Sequence, residues 1–209
     1  MSGGTVGIID YGMGNILSVC HAVEMAGGDI VMCTSADQIG GVERIILPGV
    51  GAFGDCMRNL RERGLVDALN RLVLEQKIPI LGICLGMQVM AKRGFEGGEY
   101  DGLGWFEADV VRLVPNDASL RVPQIGWNDV TFQRDCELFG GLPEAPDLYF
   151  VHSYYMRCER RENVIATCDY GGTVTAAVGK DNIVATQFHP EKSQDYGLKI
   201  IRNFLSWQP

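Results

Sequence analysis

The segment Gly82-Ile83-Cys84-Leu85-Gly86 constrains this chain more than any other. It follows the apolar run Ile78-Pro79-Ile80-Leu81, which reads as a buried strand. It precedes Met87-Gln88-Val89-Met90-Ala91, which reads as a helix. A strand that turns this sharply into a helix holds its central residue in a tight, exposed position. Glycines two residues before and after leave room for the turn. A cysteine in that place is a candidate nucleophile, because the N–H groups and dipole of the helix start favour a thiolate.

The rest of the first half alternates in the same way. Residues 6–9, 30–33 and 45–47 read as strands. Residues 15–26 read as a helix, as do 55–60 with Asp55 as N-cap. A further helix follows Gly64, with Leu65, Val66, Leu69, Leu72 and Val73 at helical spacing. The alternation predicts an α/β fold with a doubly wound, mostly parallel sheet. The second half reads as strands at 110–113, 130–132, 149–151, 164–168, 174–178 and 183–188, joined by short turns. These predict antiparallel additions to the sheet. A closing helix carries an apolar stripe of Leu198, Ile201, Phe204 and Leu205. With no repeat, low-complexity tract or linker, residues 1–209 read as a single domain, long enough for a full core.

A cysteine nucleophile needs a base, and the chain has three histidines. His21 falls on the surface of the first helix. His152 ends the run Leu148-Tyr149-Phe150-Val151. His189 ends another run, and it alone has a carboxylate two residues on, Glu191. In an extended chain those positions face the same way, so Glu191 would orient the ring and fix its tautomer. Apart from the cysteine elbow, the pair would read as exposed turn residues. Electrophilic help would come from Pro48-Gly49-Val50-Gly51, the loop after the strand at 45–47, together with the N–H of Leu85. Pro48 fixes one φ, while Gly49 and Gly51 flank Val50, so one peptide there can turn its N–H toward or away from the site.

Composition narrows the chemistry. The seven cysteines are odd in number and form no C-x-x-C pair, which argues against a disulfide framework or a zinc site. The six besides Cys84 read as small buried apolar residues. A net charge of −8 argues against nucleic acid or an anionic membrane as partner. The longest apolar stretch, 78–91, contains Pro79 and Gln88 and is too short to span a bilayer. The start, Met1-Ser2-Gly3-Gly4, has no basic or apolar leader, so a cytoplasmic location is expected. Gly12-Met13-Gly14 lacks the third glycine of a dinucleotide loop, since position 17 is Leu17. The acids around Asp117 and Asp135 have no ligand spacing. No cofactor and no metal are expected.

These motifs together resemble the class I, triad-type glutamine amidotransferases. The elbow through Gln88 and the stretch Gln187-Phe188-His189-Pro190-Glu191-Lys192-Ser193 match the class. Four further stretches are similar to the glutaminase subunits of imidazole glycerol phosphate synthase: Asp10-Tyr11-Gly12-Met13-Gly14-Asn15, Pro48 through Asp55, Gly126-Trp127-Asn128, and Phe150-Val151-His152-Ser153-Tyr154. Many class I members carry Pro-Gly-Gly at the oxyanion loop, whereas this chain reads Pro-Gly-Val-Gly. Members often have His where Gln124 stands.

The resemblance implies hydrolysis of L-glutamine through Cys84, His189 and Glu191, with a γ-glutamyl thioester on Cys84. It implies an oxyanion site at Gly49, Val50, Gly51 and Leu85. Gln88 and Glu96 would bind the α-amino and α-carboxylate ends of glutamine, with backbone from His152, Ser153 and Tyr154. It also implies a (β/α)8-barrel cyclase subunit as partner, touched by Asn15, Trp127, Asn128 and Tyr154. Three other readings stay open at this point. One is a class I glutaminase serving a different synthase, another is a stand-alone cysteine hydrolase of γ-glutamyl substrates, and the third is a non-enzymatic binding module, which the intact triad disfavours.

Overall fold

The structure, a computed structural model, describes residues 4–209; Met1, Ser2 and Gly3 of the expected leaderless start lie outside the described residues. In chain order the elements are β1 (Thr5–Ile9), α1 (Ile16–Ala26), β2 (Asp29–Cys33), β3 (Arg44–Leu47), α2 (Phe53–Glu62) and α3 (Leu65–Asn70). Then come β4 (Ile80–Ile83), α4 (Leu85–Gln88), β5 (Ala91–Gly94), β6 (Tyr100–Asp101) and β7 (Phe106–Arg112). The chain continues with β8 (Gln124–Phe132), β9 (Asp147–His152), β10 (Tyr154–Cys158), β11 (Val164–Asp169), β12 (Thr173–Lys180), β13 (Ile183–Thr186) and α5 (Gln194–Ser206).

Nine strands form one sheet in the order β2-β1-β3-β4-β13-β12-β11-β8-β9. The half from β2 to β13 is parallel, and from β13 outward to β9 every pair is antiparallel. Both faces are covered, which is why the parallel strands are continuous apolar runs. Side chains alternate between two cores. Ile45, Leu47 and Ile80 pack with Phe53, Leu60 and Leu69 on one face. Ile46, Leu81 and Ile83 pack with Val19, Val23, Ile201 and Phe204 on the other. All seven cysteines are unpaired; four are buried and Cys20, Cys136 and Cys158 are half-buried.

Four expectations need correction. The segment at 110–113 is not an addition to the main sheet; it belongs to β7, in a second, four-stranded sheet ordered β10-β7-β5-β6. The expected helix at 87–91 is a single turn, Leu85–Gln88, after which Ala91 already pairs with Phe106. The apolar run suits either state; Val89 is still helical, and bonds from Leu103 to Val89 and from Trp105 and Phe106 to Met90 tie off the turn before the chain becomes extended at Ala91. The helix expected from Asp55 begins at Phe53, with Ala52 at the cap and no capping side chain of its own. Its first N–H is instead bound by Glu96 Oε2 at 2.9 Å. Finally, β13 stops at Thr186, so Phe188 and His189 lie beyond the strand.

Candidate active site

The carboxyl ends of β3, β4 and β13 lie side by side, and each leads into a segment of the site. Cys84 follows β4 at positive φ, φ 54° and ψ −108°, which is strained for a residue with a side chain. Its N–H is held by the carbonyl of Thr186 at 2.7 Å. Gly86 makes the turn possible by closeness: a Cβ there would overlap the carbonyl of Leu47.

His189 is pinned from several sides. Its N–H bonds the Tyr149 carbonyl at 2.8 Å. Its carbonyl accepts from Ser193 Oγ at 2.7 Å, and that hydroxyl accepts from Tyr149 N–H at 3.0 Å. The ring's Nδ1 meets Glu191 Oε1 at 2.7 Å, with both side chains about 2% exposed. The sequence reasoning assumed extended backbone from 189 to 191. The pairing is made instead by a short 3-10 turn, Pro190–Lys192, capped by His189. Nε2 is buried and makes no aligned hydrogen bond. Burial disfavours the charged ring, yet Cys84 and Glu191 together outweigh it and raise the His189 pKa. The thiol and imidazole are thus neighbours in a loose contact, as resting nucleophile–base pairs often are.

A cavity of about 290 Å3 opens in front of Cys84. It is lined by Val50, Gly51, Leu85, Gln88, Glu96 and the segment from Val151 to Tyr154, together with Pro123. Glu96, placed by resemblance in what read as an exposed loop, therefore faces the same space as the nucleophile. His189 and Glu191 sit behind Cys84 and do not line the cavity. Gln88 Nε2 donates to the Tyr154 carbonyl at 2.8 Å. The same carbonyl accepts His152 Nδ1 at 2.9 Å, and His152 Nε2 lies 3.1 Å from the Gln124 side-chain amide. Burial lowers the His152 pKa to about 4, so this ring is neutral and structural. A larger groove, about 650 Å3, lies around Arg134, Asp181 and Trp207 and shares no residue with the site. It opens near the start of β13, the end of the sheet opposite Cys84.

The segment expected to bind an oxyanion does not present paired donors. The N–H of Leu85 donates to the carbonyl of Gly49 at 3.3 Å. In a trans peptide the N–H of Val50 points opposite to that carbonyl, away from the Leu85 donor. Gly51 has φ +101°, a conformation that favours glycine.

The residues placed at a partner surface divide. Asn15 is exposed at the start of α1, and Trp127 is 43% exposed with its ring edge-on to Tyr149 at 5.9 Å. Asn128 alternates to the other face of β8 and donates to the Asp169 carbonyl at 2.9 Å. Tyr154 is half-buried and serves the site through its carbonyl. Sequence reasoning missed Gln187, fully buried, whose Nε2 lies 3.6 Å from Cys84 Sγ. No residue pattern announces a buried amide. Among the described residues, no group of three or more His, Cys, Asp or Glu is placed to hold a metal ion. No helix there is long and apolar enough to cross a membrane.

The family model described as glutamine amidotransferase class-I matches residues 7–207. The chain is 49% identical to the imidazole glycerol phosphate synthase subunit HisH of Brucella abortus (strain 2308), covering 98% of this chain and 99% of the relative. It is 47% identical to the protein of the same description from Mesorhizobium japonicum, again covering 98% and 99%. In fold it is similar to a crystal structure described as a glutamine amidotransferase, with a TM-score of 0.76 over 97% of this chain and 98% of that one at 24% identity.

Proposed function

The chain belongs to the class-I glutamine amidotransferase family, and from that premise we propose that it is the glutaminase subunit of an imidazole glycerol phosphate synthase, acting in histidine biosynthesis. Its substrate is L-glutamine. Its partner is a cyclase subunit with a (β/α)8-barrel, which consumes the ammonia. The pair works as a heterodimer in the cytoplasm, where the free thiols stay reduced.

Cys84, as thiolate, attacks the carboxamide carbon of glutamine. His189 gives its Nε2 proton to the departing ammonia, leaving a γ-glutamyl thioester on Cys84. The neutral ring then takes a proton from water, whose attack frees glutamate and restores the thiolate. Glu191 keeps Nδ1 occupied and so leaves Nε2 for the proton transfers. Gln88 spends both amide hydrogens on protein acceptors, which leaves its oxygen for the α-ammonium of glutamine. Glu96 caps α2 with one oxygen and has the other available for the same ammonium.

The tetrahedral oxyanion needs the Leu85 N–H, which the Gly49 carbonyl now takes. Turning the Gly49–Val50 peptide would free that donor and bring in the Val50 N–H as a second. Partner binding at the surface holding Asn15 and Trp127 needs only to bias this one peptide. An isolated subunit would then be a slow glutaminase, and ammonia would form only when an acceptor is at hand.

The observation that carries the proposal is the strained Cys84 elbow, backed by the His189–Glu191 pair and opening on a cavity shared with Gln88 and Glu96. The test is to mix the chain with a cyclase subunit and measure imidazole glycerol phosphate formed from glutamine. Product that requires both chains supports the proposal. Failure with the cyclase, alongside glutamine-dependent product with a different synthase, would overturn the pathway. High turnover of γ-glutamyl peptides by the chain alone would overturn the partnership.

A further inference from the structure

Gln187 and Gln88 form a relay that ends on the Cys84 sulfur. Gln187 Nε2 lies 3.6 Å from Cys84 Sγ. Gln187 Oε1 accepts from Gln88 Nε2 at 3.0 Å, and that nitrogen also donates to the Tyr154 carbonyl at 2.8 Å. The two ends of an amide are alike in shape, so their orientation must be argued from partners. Here the chain of partners starts at a group that cannot turn. A main-chain carbonyl only accepts, so the Gln88 atom facing Tyr154 is nitrogen. That nitrogen also faces Gln187, so the Gln187 atom meeting it is oxygen. The remaining end of Gln187, aimed at sulfur, is the NH2 group.

An N–H held against sulfur favours the charged acceptor over S–H. Gln187 is 0% exposed, so water does not compete for the contact. We propose that Gln187 is a further catalytic residue, which donates a hydrogen bond to the Cys84 thiolate and is locked in the donating orientation by Gln88 and the Tyr154 carbonyl. The role rests on Cys84 being the nucleophile. It acts twice in the cycle: it stabilises the resting thiolate, and it stabilises the same sulfur as leaving group when water splits the thioester. It also joins substrate binding to the nucleophile, since Gln88 faces both the cavity and Gln187.

The other groups around the sulfur leave a clear window for a test. His189, backed by Glu191, is the cation beside it. His152 is neutral, with its pKa lowered to about 4 by burial. Tyr11 faces Cys84 and Cys56 from below and stays neutral, since burial pushes its phenol well up. Burial likewise pushes the Cys56 thiol up to about 12. Between about pH 7 and 9 His152, Tyr11 and Cys56 keep their charge, while His189 is coupled to Cys84, so the alkylation midpoint belongs to the thiol–imidazole pair.

The experiment is alkylation of Cys84 by iodoacetamide across pH, followed by the mass of the Cys84 peptide, on the full chain without partner or glutamine. Gln187→Met keeps the shape and removes the donor. The midpoint of alkylation should rise by about one to two pH units, the strength of one hydrogen bond to a charged acceptor. Gln187→Glu, which sets a carboxylate against sulfur, should raise it further. Gln88→Met, which unlocks the amide, should raise it by less than Gln187→Met.

A Gln187 that merely props Gln88 would raise KM for glutamine in Gln187→Met and leave the midpoint unchanged. That result, in a protein with a wild-type melting profile, overturns the proposal. Should Gln187→Met fail to fold, Gln88→Met decides by the same criterion: an upward shift supports the relay and an unchanged midpoint overturns it. Failure of the glutaminase reading would look different, as a wild-type chain with a readily alkylated Cys84 that hydrolyses no glutamine beside a cyclase.

Discussion

The elbow and the oxyanion loop sit next to each other at the carboxyl ends of β4 and β3, yet only one of them is ready to work. Cys84 and His189 are held on several sides: the Cys84 N–H by Thr186, the His189 backbone by Tyr149 and the Ser193 hydroxyl, and the His189 ring by Glu191. The Leu85 N–H, at the start of α4, is meanwhile taken up by the Gly49 carbonyl of the loop after Pro48. Under the proposed mechanism the difference would place control in the loop. The chemistry that would be hardest to rebuild in each turnover is permanent, and the part that one peptide rotation can supply is left open. An oxyanion donor lowers the barrier by roughly 3–4 kcal/mol, so withholding it slows the reaction by about 10²–10³ without disturbing the fold.

The largest effect should come from the permanent part. Cys84→Ala removes the nucleophile and should lower glutamine-dependent activity by at least about 10³, while the cyclase still works with free ammonia. More than a tenth of the glutaminase activity left in that variant would break the assignment. His189→Asn should be nearly as severe. Glu191→Gln should cost less, because Glu191 orients the ring and transfers no proton itself. Steady-state glutaminase assays on folded variants check the order, and equal losses for Glu191→Gln and Cys84→Ala would mean a different role for Glu191.

A smaller effect is expected in the loop. Gly51 sits at φ +101°, where a side chain is strained, so Gly51→Ala biases which way the neighbouring peptide lies. Partner-stimulated glutamine hydrolysis should fall by about tenfold to a hundredfold, with the unstimulated rate little changed. A drop in both rates alike would show that the loop is not the controlled element.

How much of this contrast could be read from residues alone follows the same division. β1, β2, β3 and α1 announced themselves through apolar runs and helical spacing, and the grouping of Cys84, His189 and Glu191 through the elbow and the His189–Glu191 interval. β5 was invisible because Ala91-Lys92-Arg93-Gly94 has neither an apolar run nor strong strand formers. β10 was hidden because only Ser153 separates it from β9, with no Gly or Pro turn to mark a second strand after the one read at 149–151. Gln187 and the Gly49–Leu85 bond were out of reach for another reason. The first is an amide whose role depends on which way it faces, and the second is the orientation of a peptide. Neither is written in residue types.

The smallest effect concerns the wall of the cavity. His152 is buried and neutral, its pKa lowered from 6.5 to about 4. The unfolded chain takes up a proton there below about pH 6.5, and the folded chain does not until about pH 4. Stability is therefore complete above the upper value and falls as pH drops through the window, by about 3 kcal/mol in all. Denaturant titrations of wild type and His152→Gln at pH 7.0 and pH 4.5, set by the window between those two pKa values, measure it. The variant should lose clearly less stability than wild type on acidification, and an identical loss would place the acid sensitivity elsewhere.

The contrast between a finished triad and an unfinished oxyanion site is tested most directly by one set of rates: steady-state glutamine hydrolysis by the chain alone, with the cyclase subunit, and with cyclase plus acceptor ligand. The blocked Leu85 donor predicts a slow rate alone and a rise of about 10²–10³ once partner and ligand are both present. Equal rates under all three conditions would contradict it, and would mean that the Gly49 carbonyl yields to glutamine without help.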